Sequence, residues 1–212
     1  MSKKEFGFSL FLTSMYVGGL FGIALPIHPD FIYLTPFNLM VSLGIAFWFH
    51  PKWDQALFLF LVISFTTGFL VELLGVQSGL IFGEYEYGEV LGWKIGGTPL
   101  MIGVNWAMLV YASAATVQHF WPKAKTWVKV VMGAAAMVLL DLVIEPVAIH
   151  FDFWTWGAVE VPIQNYIAWF LVALPLHAAF HRLLGAVTNK VAIVLFTLQF
   201  LFFGTLLLTV HG

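Results

Sequence analysis

Seven apolar stretches run along this chain, over residues 6–25, 33–49, 55–75, 98–120, 126–149, 161–183 and 190–210. Each is close to the roughly 20 residues that cross a bilayer as a helix. Backbone in hydrocarbon has no water to bond, so it must close its hydrogen bonds within a helix or a closed barrel. Continuous apolar runs of this length read as helices. The reading is an all-α fold: a polytopic integral membrane bundle of about seven transmembrane helices, one domain over residues 1–212. Break signals lie between the runs: Pro26 and Pro29, Pro51, a glycine-rich loop at 75–97, Pro122, the 150–160 loop, and Gly185 to Asn189. Composition agrees, because 61% hydrophobic against 9% charged residues suits no soluble domain of this size. No clear small-residue cleavage site follows Met1-Ser-Lys-Lys-Glu5, so the first run reads as a retained helix and not a signal peptide.

Lysine and arginine set the orientation. Lys3, Lys4, Lys52, Lys123, Lys125, Lys129, Arg182 and Lys190 fall in alternate connections, whereas the opposite set holds only Lys94. Eight against one predicts a cytoplasmic N-terminus and an outside C-terminus; the expected address is the inner (cytoplasmic) membrane of a bacterium. No basic run suits nucleic acid. Without cysteine there are no disulfides and no thiolate metal ligands.

The fifth run carries Asp141 and Glu145 four residues apart, which puts both on one helix face, about 40° apart. Pro146 follows and cannot donate to the carbonyl of Leu142. A carboxylate at bilayer depth costs roughly 2.5 kcal/mol or more, so such residues usually face a bundle interior and act there. The remaining chain reads as a container for this helix. In the predicted topology Glu72, Asn105, Trp106, Gln164 and Asn165 come to the same depth, near the outer leaflet. For any one of them, pinning a helix end at the headgroups is an equal explanation; for Glu72, Asp141 and Glu145 together, a site is the better one. In the loop that follows Glu72, Tyr85 and Tyr87 alternate, which predicts a short extended piece with both rings on one side, folding back over the outer mouth. An aromatic belt at the headgroups accounts for Trp154 and Trp156.

At these residues the chain resembles the membrane carotenoid hydratases. The likeness is carried by Glu72-Leu-Leu-Gly-Val-Gln-Ser-Gly79, Phe82-Gly83-Glu-Tyr85-Glu-Tyr87, Leu91-Gly92 and Gly97-Thr-Pro99-Leu. A second block adds Asp141-Leu-Val-Ile-Glu145-Pro146-Val, Trp154-Thr-Trp156 and Val161-Pro162-Ile-Gln-Asn165-Tyr-Ile-Ala-Trp169-Phe, so that residues 70–171 are covered. The chain departs from the family pattern at Glu145, where aspartate is usual, and at Gly103, where proline is common. The resemblance implies addition of water to the acyclic ψ-end of a carotenoid such as γ-carotene or lycopene. The implied partners are a lipophilic carotenoid, water and the bilayer, with no nucleic acid and no cofactor; the oligomeric state stays open.

The residues suit that chemistry. Hydrating a trisubstituted alkene needs a proton donor, a stabilised tertiary cation and a controlled water. Apolar surroundings favour a protonated carboxyl group, and adjacent carboxyls readily share one proton. Glu72, Asp141 and Glu145 are the candidate catalytic acids and bases. Tyr85, Tyr87, Asn105, Trp106, Asn165 and Trp169 are the candidate substrate-binding groups, the aromatic faces stabilising a cation. Rival readings fare less well. A retinal photoreceptor needs a mid-bilayer lysine in its last helix, where only Lys190 occurs, at the cytoplasmic start. An iron hydroxylase needs clustered histidines, and only His177 and His181 have ligand-like spacing; they read as interfacial or stabilising residues, and no metal site is assigned. A carotenoid end-group cyclase would begin with the same protonation. A proton-coupled carrier would spread its polar groups along a full transmembrane path.

Overall fold

The computed structural model describes residues 1–25 and 28–210; Pro26, one of the expected break signals, lies outside them. Seven helices are long and apolar enough to cross a membrane: α1 (Lys3–Ala24), α2 (Thr35–Trp48), α3 (Gln55–Ser78), α4 (Leu100–Phe120), α5 (Thr126–His150), α6 (Ile163–Leu183) and α7 (Lys190–Val210). A 3-10 turn over Pro29–Leu34 lengthens α2 at its start. Two-residue strands β2 (Lys94–Ile95) and β3 (Thr98–Pro99) pair in the α3–α4 connection. In the same connection β1 (Tyr85–Tyr87) pairs with β4 (Trp154–Trp156), which follows α5.

The helix ends follow local chemistry. The Asp54 carboxylate caps α3 by accepting from Ala56 and Leu57 N–H at 3.0 and 3.1 Å. Gly79 closes the same helix at φ 64°, a left-handed conformation that a Cβ disfavours. Asn189 caps α7 through Val191 and Ala192 N–H, both at 3.1 Å, while its amide reaches Tyr111 on α4. α5 continues through Pro146 to His150.

The acid-bearing helix is not the centre of the bundle, contrary to the sequence reading. That place belongs to α4, which packs on α2, α3, α5, α6 and α7; 78% of its apolar window is buried, against 39% or less for every other helix. The reason is size. Ala107, Ala112, Ser113, Ala114 and Ala115 let neighbouring backbones approach closely, which is how helices associate where lipid is as apolar as leucine. Gly68 of α3 does the same for the α3–α4 pair, since a Cβ there would overlap the Trp106 ring. α5 packs on α4, α6 and α7.

Candidate active site

α3 and α5 end, and α4 and α6 begin, at the end of the bundle where β1 meets β4. Their polar residues point to one place. Glu72, Asp141, Glu145 and Asn165 are each only 2% exposed. On α5 the acids share a face, as their spacing requires, and on α6 Asn165 and Trp169 do likewise. Together with Tyr85, Tyr87, Ile102, Asn105, Ile144, Trp154 and Trp156 they enclose a cavity of about 30 Å³, which is room for one or two water molecules. Glu72 and Asp141 therefore share one compartment and do not face lipid.

Each glutamate is held by three donors. Glu72 Oε2 accepts from the hydroxyls of Tyr85 at 2.6 Å and Tyr87 at 2.8 Å, and Oε1 from Trp106 Nε1 at 3.1 Å. Glu145 Oε2 accepts from Trp154 Nε1 at 2.9 Å and Trp156 Nε1 at 3.0 Å, and Oε1 from Asn165 Nδ2 at 3.1 Å. The same Asn165 nitrogen donates to Asp141 Oδ2 at 3.1 Å. Asp141 has that donor alone among the described residues. No ion pair described involves any of the three acids. Indole N–H can only donate, so Glu72 and Glu145 are furnished as hydrogen-bond acceptors, whereas Asp141 keeps an oxygen free.

β1 and β4 close the cavity. Tyr85 stands opposite Trp156 and Tyr87 opposite Trp154. Because side chains alternate along a strand, all four rings face inward while Glu86 and Thr155 face out. The rings meet across the strands, with centroids 5.1 Å apart for Tyr85–Trp156 and 6.0 Å for Tyr87–Trp154. Lys94 Nζ secures β1 by donating to Tyr87 O and Glu89 Oε1, both at 2.7 Å. Burial, then the Glu72 charge, pushes the hydroxyls of Tyr85 and Tyr87 well above the usual phenol range. Both remain protonated donors at any pH the protein meets.

The expected extended piece with two tyrosines on one side is present. The belt reading of Trp154 and Trp156 is overturned: their N–H groups end on Glu145 and not among headgroups. The signal was available, since Trp154-Thr-Trp156 repeats the alternation of Tyr85-Glu-Tyr87. Lys94, which sequence reading used only for orientation, holds the strand. Asn105 lines the cavity, whereas Trp106 lies behind it, fully buried and stacked on Trp169 at 4.4 Å. Gln164 is outside, donating to the carbonyls of Leu80 and Ile81.

In the other half of the bundle His177 and Lys129 have partners of their own. His177 is fully buried, its ring nitrogens 2.8 Å from Ser113 Oγ and from Ala173 O. Lys129 donates to Gln118 Oε1 and Pro122 O, both at 2.8 Å. Apolar Leu109, Val110, Met137 and Ala173, all nearly or wholly buried, occupy the helices between these groups and the acids.

Residues 33–211 match the family model described as "Carotenoid biosynthesis protein". Among characterised proteins, the chain is similar to the bisanhydrobacterioruberin hydratase of Haloarcula japonica, at 30% identity over 159 residues. That match takes in 72% of this chain and 54% of the relative, so the chain spans about half the length of the protein it resembles. The seven apolar helices support a membrane address, whereas the relative is archaeal and lends no support to a bacterial one. No solved structure matches the chain.

Proposed function

The chain belongs to the carotenoid biosynthesis protein family, and we propose that it adds water across the terminal C1–C2 double bond of an acyclic carotenoid ψ-end, giving a tertiary 1-hydroxy group. One observation carries the reading: three carboxyl groups, without a cation among them, surround a water-sized cavity walled by aromatic rings. A carrier needs a polar path, and an apolar layer separates this cluster from the polar groups of the other half.

The donor count divides the labour. Three hydrogen bonds each support Glu72 and Glu145 as carboxylates. Asp141, with one donor and a free oxygen, is the acid. Its proton goes to C2, the less substituted carbon, and the π electrons form the new C–H bond, leaving a tertiary cation at C1. Glu72 and Glu145 stabilise that positive charge electrostatically. The face of Trp169, backed by Trp106, adds about 0.5–2 kcal/mol. Water in the cavity bonds to C1 and returns a proton to Asp141, so the acid is regenerated. The sum is alkene plus water to alcohol, with no change of oxidation state and hence no redox cofactor. The lysine and arginine bias supports an outer-leaflet position for this end of the bundle, where the end of a bilayer-spanning polyene would reach it.

Expression in a host that accumulates lycopene or γ-carotene tests the reading. The expected product is heavier by one water; an isomer of unchanged mass would mean cyclisation. Asp141→Asn and Glu72→Gln are each expected to lower product formation by about 10²–10⁴-fold with normal amounts of protein in the membrane. Near-normal turnover in both variants would remove these acids from the mechanism.

A further inference from the structure

A second cavity lies across α5 from the acids. It measures about 330 Å³, within the range of small-molecule pockets. Residues two apart on a helix point about 160° apart, so Val147, which lines this cavity, faces away from Glu145. α1, α2 and α7 provide the other walls, and Phe31, Phe37, Phe151, Phe153, Phe202 and Phe203 make them largely aromatic. Phe153 immediately precedes β4, so the two cavities share both α5 and the base of the closing strand.

The polar groups here are all neutral. Gln199, 4% exposed, donates Nε2 to the Tyr16 hydroxyl at 2.8 Å. Tyr16 lies 3.4 Å from Ser42 Oγ, which in turn donates to Asn38 Oδ1 at 3.3 Å. Among the described residues Gln199 Oε1 has no partner, although the side chain is buried and lines the cavity. That oxygen is not among the fully buried polar atoms left without a partner, so it opens onto the cavity and is placed to accept from a guest. No Lys, Arg or His is among the lining residues described, so a phosphate or carboxylate headgroup would find no counter-charge. Flat aromatic walls suit a rigid conjugated chain, and an uncharged amide suits a hydroxyl.

We infer that this cavity is a second, non-catalytic site for a conjugated isoprenoid chain ending in a hydroxyl, held by Gln199. The inference rests on the proposed hydration, whose product is such a chain. Binding of a tertiary-hydroxylated carotenoid and of its unhydroxylated precursor is measured on Asp141→Asn protein in nanodiscs, where turnover does not intervene. The hydroxylated chain is expected to bind about tenfold more tightly, the worth of one good hydrogen bond. Adding Gln199→Leu should erase the preference. Adding Gly18→Trp, whose new Cβ meets nothing within 4 Å, should remove the hydroxyl-selective binding by filling the cavity. Equal affinity for the two carotenoids, an unchanged preference in Gln199→Leu, or equal displacement by phospholipid would overturn the site. Hydration by the unsubstituted protein without this preference sinks the second site alone. A Gln199-dependent preference in a protein that never hydrates upholds the site and sinks the reaction.

Discussion

Two tryptophans distinguish a working site from a pair of buried acids. Trp154 and Trp156 converge on one oxygen of Glu145, and a hydrogen bond to a charged group contributes about 1.5–3 kcal/mol. Trp154→Phe or Trp156→Phe keeps an aromatic face but deletes the N–H donor together with part of the indole. Each is expected to slow hydration roughly 10–100-fold at unchanged protein level, measured as product per unit of membrane protein. Unaltered rates in both would return these residues to the headgroup belt. The tyrosines make a pH statement of opposite kind. Their folded-state values are raised above the ordinary phenol value of about 10, by burial first and the Glu72 charge second. Their contribution is therefore complete below about pH 10 and lost only as pH rises beyond it. Tyr85→Phe should lower the rate evenly between about pH 6 and 9. An alkaline limb near neutrality that disappears in Tyr85→Phe would contradict this.

At the scale of elements, the three-residue pairing of β1 with β4 joins two connections 69 positions apart (Tyr85 to Trp154) and delivers four ring groups to one cavity. So short a pair has little stability of its own; it is held by ring contacts, by Lys94 and by Gly88 N–H donating to Phe153 O at 3.0 Å. Gly88 also lies so close to the Asp152 carbonyl that an added Cβ would overlap it. Gly88→Ala is expected to spring the pair and abolish hydration while helical circular dichroism stays that of the unsubstituted protein. Full activity in this variant would show that the strands do not close the site.

At the scale of the whole molecule, the polar groups form separate clusters with apolar packing between them, and the acids lie at the end carrying the long loops. The absence of cysteine from the 212 residues makes orientation measurable, because one introduced thiol reports alone. In intact cells, Glu160→Cys should react with a membrane-impermeant maleimide, and Lys125→Cys only after lysis. The reverse pattern would put the acids at the cytoplasmic leaflet.

Seven spans, their approximate limits and the helical class were legible in the chain, because hydrocarbon leaves a backbone few alternatives and apolar length reads directly. The shared face of Asp141 and Glu145 was equally legible, being set by helical period alone. Centrality was not: α4 became the hub through small residues whose meaning depends on which neighbour approaches, whereas apolar content is much alike in every span. Nor did spacing reveal that Trp154 and Trp156 end on Glu145, that Lys94 fastens β1, or that Trp106 stands behind Trp169. The first two depend on how a loop folds back on the segment it follows, and the third on α4 meeting α6, and only the packed chain decides either.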